Sequence, residues 1–291
     1  MRSNRRMKWV AAPVALSAAL LLAGCTPEQQ RGFLPAGSEG ATNHTDGITG
    51  LWVTSWIVLL VIGAITWGLI IWATIAYRRR KGQTGLPVQM RYNMPIETFF
   101  TVVPVLLVLG FFAFTAQEQA SIEKRYENPE NVVEVVGKRW AWDFNYVNDD
   151  VYFQGVQVQT DAEGEATEET MPVLYLPVGK TTELRLETRD VIHSFWVVEY
   201  LYKKDMIPGQ TNYMSITPEK TGTFMGKCAE LCGEYHSMML FEVNVVEQDE
   251  YDAYVASLRD AGNTGQVSVE FNPNQEAFYG DEAKSQNENQ Y

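Results

Sequence analysis

Residues 51–77, LWVTSWIVLLVIGAITWGLIIWATIAY, hold no charged side chain over 27 positions. A helix needs only ~20 apolar residues to cross the hydrocarbon of a bilayer. A second uncharged run, TFFTVVPVLLVLGFFAFTA, covers residues 98–116. Neither run has a polar face, so neither reads as the half-buried helix of a water-soluble domain. Together they predict a membrane α-helical hairpin, with helices at 49–78 and 95–117 and a loop at 79–94. The region joining the spans carries Arg78, Arg79, Arg80, Lys81 and Arg91, and no acid before Glu97. An excess of Lys and Arg marks the cytoplasmic side. The loop is therefore placed in the cytoplasm and both mature termini outside it.

The first residues agree with that orientation. Arg2, Arg5, Arg6 and Lys8 precede an apolar run that ends in Leu22-Ala23-Gly24-Cys25. This predicts a secretory signal over 1–24. The ending LAGC resembles a bacterial lipobox, in which cleavage leaves the cysteine as a lipid-bearing first residue. Ordinary cleavage, with Cys25 a leftover thiol, is the alternative. Residues 25–48 read as an exposed tether, and His44 within them as a surface side chain. Outside the leader, the loop and Glu97, the chain keeps 14 basic and 35 acidic residues, a net charge of −21. So acidic an exterior steers basic partners toward it and is unsuited to nucleic acid.

From about residue 130 the pattern shortens. RWAWDFNYV (139–147) alternates Trp140, Trp142, Phe144 and Tyr146 with Ala141, Asp143 and Asn145. That is the period of a strand. TELRLE, HSFWVV, NYMSI, GTFMGK and MLFEVNVV supply further strands, punctuated by Pro177, Gly179, Pro208, Gly209 and Gly222. Many short strands between turn signals predict an all-β sandwich or barrel over 118–260. The acidic stretch DAEGEATEET (161–170) interrupts it as a solvated loop. EQDEYDAYVASLRD (247–260) spaces Tyr251, Tyr254, Val255 and Leu258 as an amphipathic helix. A polar tail, 261–291, follows, which would order only against a partner. At the mouth of the second span, Pro95 suits a first helical turn and Pro104 removes a backbone hydrogen bond inside it. Glu97 is either a carboxylate favoured by the helix N-terminus or a group on a proton path.

The densest chemistry lies in KCAELCGEYHSMM, residues 227–239. Cys228 and Cys232 could form a disulfide, the default for an exported domain, but this leaves His236, Met239 and the distant His193 unused. Zinc would accept Cys₂His₂, yet the histidines do not have finger spacing and Met239 stays idle. Copper takes thiolate, imidazole and a weak thioether alike. One cysteine suffices for a mononuclear copper site; two could bridge a pair of coppers, one imidazole on each. Met239 and the backbone carbonyl of Glu230 would then fill the weak positions.

These residues resemble subunit II of the haem–copper oxidases, the cytochrome c oxidase kind. The likeness covers about 50–77 and 93–260 and rests on MPIETFFTVVP, GKRWAWDFNY, VIHSFWVV, DMIPGQ and CAELCGEYHSMM. It implies a two-helix membrane hairpin plus an all-β cupredoxin-like Greek-key sandwich. It further implies a dinuclear copper centre, one copper on His193, Cys228, Cys232 and Met239, the other on Cys228, Cys232, His236 and the Glu230 carbonyl. The Glu230 side chain matches a residue that reaches a Mg²⁺ at the catalytic subunit's surface. Glu97 matches a carboxylate at the mouth of a proton pathway, Trp140 the tryptophan through which cytochrome c delivers its electron, and Trp142 a packing residue. Implied partners are the haem–copper subunit I, subunit III and cytochrome c. The stretch GKRWAW departs from the commoner G-H-Q-W-Y-W, and the acidic insertion and lipobox are unusual. These features look actinobacterial, where the donor is a cytochrome c domain of a bc-type complex within a supercomplex. The competing readings are a quinol-oxidase-type subunit II without copper, a membrane-anchored copper-binding lipoprotein and a nitrous oxide reductase module. The intact ligand set, the tryptophan stretch and the hairpin argue against them in turn.

Overall fold

The computed structural model describes residues 26–86, 89–164 and 166–270. The leader 1–24, the lipidation candidate Cys25 and the tail beyond 270 lie outside these. The chain divides into two compact units, one of residues up to Leu34 with Trp52–Arg78, the other of Pro35–Leu51 with Arg79 onward.

Helix α1 (Pro27–Gln30) is a single turn closed by a reciprocal cap between Thr26 and Gln29, with Pro27 at its first position, where no N–H is missed. Helix α2 (Thr45–Ala76) contains all of the first uncharged run but Tyr77 and starts ahead of it. Helix α3 (Met94–Ile122) contains the second. Both are long and apolar enough to cross a membrane. At the start of α3 the Asn93 side chain accepts from the Ile96 amide, and Glu97 Oε1 accepts from the Asn93 amide at 2.8 Å. Such mutual capping fixes where the helix begins. Pro104 sits within α3 without ending it.

Among the described residues the second unit holds ten strands: β1 (Asn131–Lys138), β2 (Ala141–Tyr146), β3 (Val151–Gln154), β4 (Val173–Pro177), β5 (Thr182–Thr188), β6 (His193–Val197), β7 (Tyr202–Met206), β8 (Asn212–Ile216), β9 (Gly222–Cys228) and β10 (Leu240–Val246). They form two five-stranded sheets, ordered β3-β2-β1-β5-β8 and β4-β10-β9-β6-β7. Each sheet contains one parallel pair, β1 with β5 and β4 with β10. Val133, Val135, Trp142, Phe144, Leu184 and Leu186 of one sheet and Leu174, Leu176, Phe195, Phe241 and Val243 of the other are buried in one core. Helix α4 (Gln248–Asp260) adds Tyr251, Val255 and Leu258 to it.

Two sequence expectations are corrected. Part of the stretch expected as an exposed tether is buried: Ser38, Ala41, Thr42, His44 and Thr45 are all below a tenth exposed. The segment follows the end of β8, with Asn43 N donating to the Thr217 carbonyl, Thr217 N to Asn43 Oδ1 and Glu219 N to the Ala41 carbonyl. His44, expected on the surface, sets its Nε2 2.8 Å from the Ser215 carbonyl. The tail also begins in an ordered state. Gly265 N donates to the Asp150 carbonyl, and Asn145 exchanges two hydrogen bonds with the backbone of Val267. This explains why both faces of β2 are buried. Its polar face carries Asn145, met by Val267 and Glu134, and Asp143, paired with the buried Lys138 at 2.7 Å. Buried polar groups need such partners.

Candidate metal centre

The site lies where three elements of one sheet end. Strand β6 begins at His193, β9 ends at Cys228, and β10 begins one residue after Met239. Phe195 stands opposite Cys228 in the β6–β9 register, and Ala229 N donates to the Ser194 carbonyl. Cys228 N donates to the Met239 carbonyl, which closes the loop between them. A short 3₁₀ turn, His236–Met238, occupies the loop. Three donors separated by up to 46 positions, His193, Cys228 and Met239, are thereby set on one frame of strand ends, and the loop between the last two adds Cys232 and His236.

The donor atoms converge. The two sulfurs are 3.9 Å apart and the thiols are free, far beyond the ~2.05 Å of a disulfide. Cys228 Sγ lies 3.8 Å from His193 Nδ1 and 3.2 Å from the Glu230 carbonyl oxygen. Cys232 Sγ lies 3.5 Å from His236 Nδ1 and 3.8 Å from Met239 Sδ. Two donors bound tetrahedrally to one metal at ~2.0–2.3 Å stand ~3.3–3.8 Å apart. The two sulfur–imidazole spacings and the Cys232–Met239 spacing fall in that range, and the sulfur–sulfur and Glu230 carbonyl spacings lie about 0.1 Å to either side of it, so the residues fit a soft metal held by thiolate, imidazole and thioether. Cys228, Cys232, Met239 and His193 are buried, whereas His236 is half-buried and the Glu230 side chain is exposed.

One positioning residue was not found from the sequence. Asp190, 4 % exposed, places Oδ1 2.8 Å from His193 Nε2 and accepts from the amides of Val191 and Arg139. With Nε2–H donated to Asp190, Nδ1 keeps its lone pair toward the sulfurs. The signal was present as an aspartate three residues before the histidine in RDVIH. Burial disfavours the Asp190 anion, but the bonds from His193 and the two amides outweigh it and hold its pKa below the ordinary value. Burial likewise opposes the His193 cation, and Asp190 and Cys228 overcome it, raising that pKa. The bond from Cys232 favours the Cys228 thiolate and pushes the Cys232 pKa up.

The other sequence candidates fall in two places. Trp140 borders the centre: its Nε1 donates to the Cys232 carbonyl at 3.2 Å, and its ring meets Tyr235 edge-on at 5.0 Å. Trp142 is fully buried against Phe195 and Phe241 and donates to the Met239 carbonyl. Glu97 is not among the donors; it lies in the first turn of α3 as the cap described above.

Two membrane-length helices, a two-sheet sandwich and a buried thiol–imidazole cluster define a membrane-anchored, cupredoxin-like protein with a site built for a soft metal. Residues 131–246 match the family described as cytochrome c oxidase subunit II, periplasmic domain. The chain is 40 % identical over 282 residues to a probable cytochrome c oxidase subunit 2 of Streptomyces avermitilis, covering 87 % of this chain and 88 % of that one. It is 32 % identical over 288 residues to the cytochrome c oxidase subunit 2 of Mycobacterium tuberculosis, covering 81 % and 78 %. The solved periplasmic domain of subunit II from Bradyrhizobium japonicum is similar at 27 % identity and a TM-score of 0.42, over 47 % of this chain and 99 % of that domain. The chain therefore belongs to the cytochrome c oxidase subunit II family, whose members are electron-transport subunits.

Proposed function

We propose that this subunit accepts electrons singly from cytochrome c at a dinuclear copper centre and passes them to the haem–copper subunit I. Cys228 and Cys232 would bridge the two coppers, with His193 and Met239 completing one and His236 and the Glu230 carbonyl the other. Copper bound there supplies one-electron exchange. The protein's part is to keep the donors still. Asp190 fixes the His193 ring, the β6–β9 register fixes Cys228, and burial of both thiols and Met239 excludes water. Trp140, bonded to the backbone of Cys232, is the electron-admitting side chain. His236, nearer the surface, faces the partner side of the exchange.

The remaining assignments belong to the same reading. The exposed Glu230 carboxylate serves a Mg²⁺ shared with subunit I, and Glu97 stands at the mouth of a proton pathway. The basic loop 79–94 lies in the cytoplasm, the copper domain (118–260) and both mature termini lie outside, and Cys25 carries a lipid anchor. Subunit III and a cytochrome c domain of a bc-type complex complete the assembly.

The observation that carries this proposal is the pair of unbonded sulfurs 3.9 Å apart, each beside a different imidazole Nδ1. The test is metal analysis and electron paramagnetic resonance of the full-length chain, expressed alone with copper. About two coppers per chain, a purple colour and one electron shared equally by two nuclei are expected from two bridging thiolates. A single colourless Zn²⁺ per chain would refute it.

A further inference from the structure

Residues 26–34 fold back on α2 and enclose an apolar groove of about 820 Å³. Phe33, Trp52, Trp56, Ile57 and Leu60 form most of its wall, and Gln29 and Gln30 of α1 give it a polar side. The groove is built rather than incidental. The Gly32 carbonyl accepts from Trp52 Nε1 at 2.9 Å, and a Cβ on Gly32 would come within 2.8 Å of the indole. Gly32 (φ 64°) and Phe33 (φ 61°) are both left-handed, a conformation that side-chain-bearing residues seldom adopt. It leaves the Phe33 ring 71 % exposed. A strained backbone that holds an aromatic ring in the open asks for a ligand.

The lining gives the ligand's chemistry and direction. Tryptophans settle at the bilayer's polar boundary, and Leu60 lies ~12 Å further along the helix than Trp52 at the usual rise per residue. The groove thus runs from headgroup level into hydrocarbon, the course of a fatty acyl chain. The sequence gives the source. Cys25 is bonded directly to Thr26, the cap of α1, and the turn that follows lines the groove. A chain carried on Cys25 is held beside the groove by its covalent bond and cannot diffuse away from it, as a bulk lipid does.

We propose that this groove is the seat of an acyl chain of the lipid on Cys25, which staples residues 26–34 to α2. The inference rests on the lipid-anchor reading above. It is tested on the full-length chain in oxidase purified from its host membrane, with Phe33→p-benzoylphenylalanine as a photo-crosslinking probe and Ile71→p-benzoylphenylalanine, elsewhere on α2, as the comparison. Arg31 separates the two partners on trypsin digestion. The expected product is the 25–31 peptide joined through its acyl chain to the peptide that begins at Gly32, with at least a tenfold lower yield of any such link from position 71. Capture of only free phospholipid or another subunit, with Cys25 acylated, overturns the seat and leaves the anchor standing. An N-terminal peptide whose mass shows no acyl group removes the anchor and the occupant together.

Discussion

His193 is fully buried with its Nε2 tied to Asp190, whereas His236 is half-buried in a short turn of the cysteine loop. The first sits at the start of a strand inside a sheet, and its ring packs over Gly137 of the facing sheet: a Cβ at Gly137 would approach His193 Cδ2 to 3.1 Å. The second is held through the backbone of its own loop, His236 N donating to the Gly233 carbonyl. The contrast teaches a division of labour in the proposed centre. One imidazole is immobilised by the domain, so it sets the geometry of the metal site. The other borders the surface, where a partner can reach it.

The comparison can be broken in several ways, the most severe at the residue both sides share. Cys232 touches His236 and Met239 and lies 3.9 Å from Cys228. Cys232→Ser is expected to abolish the two-nucleus resonance signal altogether; retention of that signal would show that the sulfurs do not bridge. Asp190→Ala is expected to weaken metal binding by ~10–100-fold, as removal of a histidine's orienting carboxylate does elsewhere, with partial rescue by Asp190→Asn. Equal affinity in wild type and Asp190→Ala would erase the distinction between the two imidazoles. Gly137→Ala presses a methyl on the His193 ring and is expected to shift the visible spectrum while both metals stay bound. An unmoved spectrum would mean that the facing sheet does not hold the ring. Met239→Leu should keep the metal content and change only the reduction potential, because a thioether is the weakest donor of the set. Metal loss in that variant would make Met239 a principal ligand.

Much of this was legible in the sequence, and the reason is local. A charge-free run of 27 residues declares a membrane helix by itself. RWAWDFNYV declares a strand by its period, and CAELCGEYH puts three donors within one loop. What escaped depends on partners far away in the chain. His44 looks like a surface residue until the Ser215 carbonyl meets its ring, and Ser38 and Thr42 until the turns of their own segment, at Pro35 and Thr45, satisfy them. Asn145 and Asp143 look like the wet face of β2 until Val267 and Lys138 cover them. The parallel pairing of β1 with β5 crosses about fifty residues and leaves no periodic trace. Asp190 was overlooked because an acid before a histidine is common, and only the fold turns it under the ring.

The segment running from Ala41 to Thr45 has a practical consequence. Strand β8 is the last of its sheet, and a bare outer strand is a template for joining another chain. The N-terminal segment occupies the backbone groups just beyond that strand, at Thr217 and Glu219. A soluble fragment cut to begin after α3 would lose this cover, leave Ser215 and Thr217 wanting hydrogen-bond partners, and tend to pair with its own copies. Work on the isolated domain is therefore best done with residues 35–45 joined back to it.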